Sequence, residues 1–73
     1  GDYDRSIADV KRTLALEPRH FGALTGLGLI NMVLERHADA LAAFEAALAV
    51  HPHLPYAKRM VKRLRALQEK STI

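Results

Sequence analysis

The sequence predicts an all-α chain of about four helices, an α-α superhelix in which antiparallel helix-turn-helix units stack as a solenoid. Two observations carry that expectation. An uncharged run over residues 21–34 is followed by Ala40, Leu41, Phe44, Ala47 and Leu48, whose i, i+1, i+4, i+7, i+8 spacing paints one face of a second helix. In addition, Leu14-Ala15-Leu16-Glu17-Pro18 recurs as Leu48-Ala49-Val50-His51-Pro52, which sets the two prolines 34 residues apart, a period in the range of stacked helical hairpins. The two helices between Phe21 and Pro52 form one complete unit.

Over that unit the sequence resembles the tetratricopeptide repeat, whose pattern is W-x2-L-G-x2-Y, then A-x3-F and a closing P. The corresponding residues are Leu24, Leu27, Gly28 and Asn31, then Ala40, Phe44, Ala47 and Pro52. Leu24 replaces the tryptophan and Asn31 the tyrosine, while the small residues that permit close helix approach are kept. The resemblance extends over nearly the whole chain, strongly across 21–52 and more loosely at both ends.

The elements follow in order from this register. Residues 1–18 read as the second helix of a truncated repeat: Ile7, Val10 and Leu14 lie at i, i+3, i+7, and Asp2 or Asp4 suits the positive end of a helix starting there. Ser6, Val10, Thr13 and Pro18 fall where the complete unit has Ala40, Phe44, Ala47 and Pro52. A helix of this kind packs between its own partner and the next repeat, so Ile7, Val10 and Leu14 are expected to have one bare flank, covered by a longer parent chain or by a second subunit.

Pro18 stops this helix, because its ring clashes with the preceding turn and it lacks an amide proton. The complete repeat, 19–52, starts its first helix near His20 and carries Leu24, Leu27, Gly28 and Asn31 toward the core. Gly22, Gly26 and Gly28 each weaken an isolated helix by about 1 kcal/mol relative to alanine, and close backbone approach is the expected reason for them. Glu35-Arg36-His37 makes the turn. Glu35 stands where the family usually has glycine and where Gly1 stands in the first copy; a left-handed conformation there would cost roughly 1–2 kcal/mol.

The alanine-rich second helix permits tight packing and ends at Pro52, after which Pro55 suits the first position of another helix. Over 53–70, Ala57, Met60, Val61, Leu64 and Leu67 keep an apolar stripe among Lys58, Arg59, Lys62, Arg63 and Arg65. Lys58 and Lys62 occupy the positions held earlier by Leu24 and Gly28, so the segment resembles a capping helix with a polar outer face. The tail, loosening from Glu69 and assigned to 71–73, is expected to fray.

Composition narrows the function. The 73 residues allow one small domain, near the size where a single core supplies only about 3–5 kcal/mol. The absence of cysteine rules out disulfides and thiolate metal sites and leaves nothing that demands an oxidising compartment; cytoplasmic is the expectation. The acidic start and the short uncharged run argue against a signal peptide and a membrane span. Residues 1–53 carry five Lys/Arg against seven Asp/Glu, whereas residues 54–73 carry six against one, so the net charge of +3 belongs to the last helix. A solvated capping face, an acidic protein or peptide, or nucleic acid could each account for it. Nucleic acid is disfavoured, because no aromatic residues interleave with those cations for base stacking and Tyr56 stands alone.

His51-Pro52-His53 brings two imidazoles close, but no Asp, Glu or Cys near in sequence completes a metal site; His20 and His37 fall at helix starts, where turn or surface roles are the default. No glycine-rich loop follows a strand and no nucleophile has an evident base, so neither catalysis nor a cofactor is expected.

The family resemblance implies that the first helix of each repeat lines a concave surface and presents its second, fifth, sixth, ninth, twelfth and thirteenth positions to a ligand. These are Gly22, Thr25, Gly26, Leu29, Met32 and Val33, and in the last helix Tyr56, Arg59, Met60, Arg63, Ala66 and Leu67. Some members grip a peptide carboxyl terminus with Lys, Arg and Asn there; the complete repeat offers none, so that clamp is not supported. A mostly apolar face with Arg59 and Arg63 one turn apart suits an apolar or amphipathic segment of a partner protein. The alternative is a self-associating assembly element, a homo-oligomer through the Ile7, Val10 and Leu14 flank and the groove. Binding of nucleic acid through the basic helix ranks behind both.

Overall fold

The computed structural model describes residues 2–71, with the side chains of Lys70 and Ser71 excepted. Among these, the chain forms four helices: α1 (Tyr3–Leu16), α2 (Phe21–Val33), α3 (His37–Val50) and α4 (Pro55–Ser71). Each packs on the next in sequence, as short connections force antiparallel neighbours to do.

The 34-residue interval holds in the backbone. α3 begins 34 residues after α1, and α4 begins 34 residues after α2. The helix ends match as well. Glu17 closes α1 at φ −134°, ψ 82°, and its N–H donates to the Thr13 carbonyl at 2.8 Å. His51 closes α3 at φ −135°, ψ 88°, and donates to Ala47 at 2.9 Å. In both turns the residue after this cap is a proline, which cannot continue the helix and so fixes the same exit. His20 caps α2, its Nδ1 accepting the Ala23 N–H at 3.0 Å, and Pro55 opens α4 at the position where a missing N–H costs nothing. α4 is helical through Ser71, the first residue of the predicted frayed tail 71–73. The remainder of the predicted frayed tail, residues 72 and 73, lies outside the described residues.

The core sits between α3 and α4. Ala40, Leu41, Phe44, Ala57, Val61 and Leu64 form one buried cluster, with Met32, Leu48, Leu54 and Met60 partly buried against it. α2 closes the other side of α3 through Leu24, Gly28 and Asn31. No residue of α1 is buried. Ser6, Val10 and Thr13 are half-buried, whereas their counterparts Ala40, Phe44 and Ala47 are fully enclosed. Among the described residues α3 packs between α2 and α4, whereas α1 packs on α2.

Of the three glycines in α2, close approach explains one. A Cβ on Gly28 would sit 2.7 Å from the Phe44 ring, so the ring occupies the space a side chain would need. Gly22 would meet only its own capping His20, at 3.1 Å, and Gly26 would meet nothing within 4 Å. The general explanation predicted for these glycines therefore holds at Gly28 and fails at Gly22 and Gly26.

The turn between α2 and α3 is the strained point. Glu35 has φ 57°, the left-handed region. Its N–H donates to the Met32 carbonyl at 3.1 Å and the Arg36 N–H to Asn31 at 2.8 Å, the paired bonds of a Schellman ending in which glycine is the usual residue. Gly1, its counterpart, lies outside the described residues. We expect Glu35→Gly to stabilise the domain by about 0.5–1 kcal/mol, since relief of roughly 1–2 kcal/mol of strain exceeds the extra entropy of an unfolded glycine. Glu35→Ala, which keeps the strain, is expected to change little. Thermal melts of the three proteins measure this, and a lower midpoint for Glu35→Gly would contradict it.

Candidate functional site

The sequence-predicted groove residues lie on one face of each of two helices. On α2, Gly22, Thr25, Gly26, Leu29, Met32 and Val33 follow at i, i+3, i+4, i+7, i+10 and i+11; on α4, Tyr56, Arg59, Met60 and Arg63 follow at i, i+3, i+4 and i+7. Met32 of one stripe and Met60 of the other each pack against the core cluster of α3 and α4. Around them the surface is open. Leu29 is 44% and Val33 59% exposed, and Gly26 faces open space. Gly22, Arg59 and Arg63 are exposed as well. The Thr25 hydroxyl donates to the Phe21 and Gly22 carbonyls one turn back, at 3.0 and 3.1 Å, and so is satisfied within its own helix.

Tyr56 has a double environment. Its ring stands edge-on to Phe44 with centroids 6.0 Å apart, yet 41% of the residue remains exposed. One edge is thus core and the other is available at the surface, as amphipathic rings often are. Met32 and Met60 are likewise half-buried, so their outer atoms are what a partner would reach.

The predicted flank, Ile7, Val10 and Leu14, is half-buried against α2. Ile7 also lines a cleft of about 370 Å³ bounded by Leu24 and Leu27 of α2, Ala43 and Ala46 of α3, and the charged groups of Lys11, Arg36 and Asp39. A second cleft, of about 480 Å³, lies between α3 and α4 and is lined by Leu48, Val61, Ala66, Lys58, Lys62, Arg65 and Glu69. Of the predicted groove positions on α2 and α4, Ala66 lines the second cleft and the others line neither. The second was legible in part, because Lys58 and Lys62 replace Leu24 and Gly28 at the repeat interval. The first arises from the angle between α1 and α3, for which the sequence carries no local signal.

Among the described residues no group of three or more His, Cys, Asp or Glu gathers as metal ligands would, and no helix is long and apolar enough to cross a membrane. Phe21 stacks at a tilt on His51 with centroids 5.8 Å apart, which gives that imidazole a packing role in the α3–α4 turn. One described ion pair links elements, Arg65 on α4 with Glu45 on α3. Its side chains are 60% and 43% exposed, so it contributes at most about 1 kcal/mol.

Comparison with known proteins agrees with this architecture. A family model described as tetratricopeptide repeat matches residues 1–55. A TPR repeat-containing protein of Rhizobium etli is 36% identical over 64 residues, a stretch that covers 88% of this chain and 31% of that protein. The chain thus spans about a third of the length of this curated relative. No solved structure matches it.

Proposed function

Because the chain belongs to the tetratricopeptide repeat family, whose repeats generally mediate protein–protein interaction, we propose that it is a non-catalytic recognition module holding an apolar or amphipathic segment of a partner protein against the α2–α4 face. In this reading 1–18 is the second helix of a repeat, 19–52 a complete repeat, and 53–70 a capping helix. The observation that carries it is the exposure of Leu29 and Val33, at 44% and 59%, beside the open Gly26 and above the half-buried Met32 and Met60. The stripe is contiguous on its helix, and among the described residues Leu29 and Val33 stay exposed beside the half-buried Met32, the condition under which apolar surface serves as an interface. Gly26 adds to this: it weakens α2 by about 1 kcal/mol, fills no intramolecular need, and leaves room for another backbone. Arg59 and Arg63, exposed on the α4 stripe, supply cations for a carboxylate on the same segment.

The test is a photo-crosslinking amino acid placed at Leu29, and separately at the exposed Ala8 on α1, in the full parent protein in its own cells. Adducts to another protein are expected at Leu29 and not at Ala8. The double substitution Leu29→Glu/Val33→Glu is expected to weaken that capture about tenfold or more while shifting stability by roughly 0.5 kcal/mol or less, as surface changes do. Equal capture at both positions, or a double variant that binds normally, would rule the reading out.

A second reading rests on a separate observation: Val10 is only half-buried where Phe44 is enclosed, which leaves α1 a face for a second copy. Light scattering across a dilution series decides it. A mass equal to one chain throughout the micromolar range excludes obligate self-association, and Val10→Glu is expected to dissociate any dimer formed there.

A further inference from the structure

We infer that the cleft between α3 and α4 is a second docking surface, distinct from the α2–α4 face, and that it takes an acidic amphipathic helix of another protein. The inference starts from the repeat register. In α2, Leu24, Leu27, Gly28 and Asn31 form the seat on which α3 packs, three of them buried. At the 34-residue interval the same face of α4 carries Lys58, Val61, Lys62 and Arg65. The cleft keeps Leu48, Val61 and Ala66 as apolar lining, while Lys58, Lys62 and Arg65 make its polar lining mainly cationic, against Glu69.

The character of the occupant follows from Lys62. α3 lies on α2 so closely that the Phe44 ring fills the place of a Cβ at Gly28. A lysine at the equivalent point bars a helix of the α3 type from docking at that distance. A visiting helix must stand farther off, cover Leu48, Val61 and Ala66 with its own apolar stripe, and meet Lys58 and Lys62 with carboxylates on its flanks. Among the described residues neither lysine has an ion-pair partner, while Arg65 is held to α3 by Glu45. The α4 sequence carries six Lys/Arg against Glu69 alone, so its field favours an acidic visitor. A second copy of this chain fits less well, because its half-buried helix α1 carries Arg5, Lys11 and Arg12 against Asp4 and Asp9 and so brings no net negative charge. Nucleic acid fits less well too, because no aromatic ring lines the cleft.

The probe is a fluorescent, helix-stabilised peptide of roughly 15 residues with a leucine stripe flanked by glutamates, accompanied by a twin with lysine for each glutamate and by an oligothymidylate. Fluorescence anisotropy at physiological ionic strength, where charges beyond about 8 Å are screened, should show the glutamate peptide binding and the lysine twin not. Lys58→Glu/Lys62→Glu is expected to weaken binding about tenfold or more, and Lys58→Ala/Lys62→Ala about threefold or more; Arg59→Glu/Arg63→Glu, on the other stripe of α4, should change it by less than about threefold. All of these positions are exposed, and far-UV circular dichroism checks that each variant stays folded. Four results would overturn the inference: no binding of the glutamate peptide, equal binding of the lysine twin, equal loss in the Arg59/Arg63 variant, or stronger binding of oligothymidylate. All of these measurements are made in the Leu29→Glu/Val33→Glu background, which closes the α2–α4 face to the peptide, so the two sites can fail independently.

Discussion

Phe44→Ala is expected to unfold the domain at physiological temperature. Removing a buried phenylalanine side chain costs about 3–5 kcal/mol, and a core of this size supplies roughly the same total. Phe44 is fully enclosed, and three elements meet on it: the Gly28 backbone of α2 on one side, the Tyr56 ring of α4 edge-on at 6.0 Å, and the buried cluster of α3 and α4 around it. Because three helices meet on this side chain, the cavity cannot be closed by moving one of them. The measurement is far-UV circular dichroism through a thermal melt; a midpoint within a few degrees of the parent would show that the packing here is dispensable. Gly28→Ala probes the same contact from the other side. Overpacking costs about 1–3 kcal/mol, against a gain of about 1 kcal/mol in helix propensity. Because the added methyl meets the ring itself, Gly28→Ala and Phe44→Leu should be non-additive, the smaller side chain making room for the methyl.

That contact also shows what the sequence can and cannot convey. Gly28 and Phe44 are family-pattern positions, and their pairing follows once the 34-residue register is recognised. The same register places all four helices, the proline stops and the left-handed Glu35, since each depends on local backbone chemistry repeated in phase. Gly22 and Gly26 look identical to Gly28 in the string, yet only the position of the α3 ring distinguishes them. The surfaces are less legible for a related reason. Helical spacing assigns Leu29, Met32 and Val33 to one face but is silent on what lies above it, and the structure divides them, with Met32 anchored on the core and Leu29 and Val33 open. The two clefts depend on the angles between helices, which are set by side chains distant in sequence. Lys58 and Lys62 were visible as departures from the repeat, though their reading as a wall of a cleft needed Leu48 from α3 beside them.

Leu64→Ala is expected to have the second largest effect, about 2–5 kcal/mol, and to report whether α4 belongs to the domain or merely leans on it. α4 is held to α3 by Ala57, Val61 and Leu64, of which Leu64 is fully enclosed and the largest, while most of its other residues are charged or polar and exposed. Because these three share one cluster with Ala40, Leu41 and Phe44, removing the Leu64 side chain should expose the α3 face as well. Amide hydrogen exchange separates the possibilities. Protection in α3 and α4 is expected to fall together and by the same free energy; loss in α4 with α3 unchanged would make the last helix an appendage. α1 supplies the internal reference. With no buried residue of its own, it should open by a local event at lower free energy than the rest, and its exchange should hardly change until the global stability of the variant drops to that level. The two proposed binding faces persist only while α4 stays docked, since Tyr56, Arg59, Met60 and Arg63 on one, and Lys58 and Lys62 on the other, lie on the helix that Leu64 holds in place.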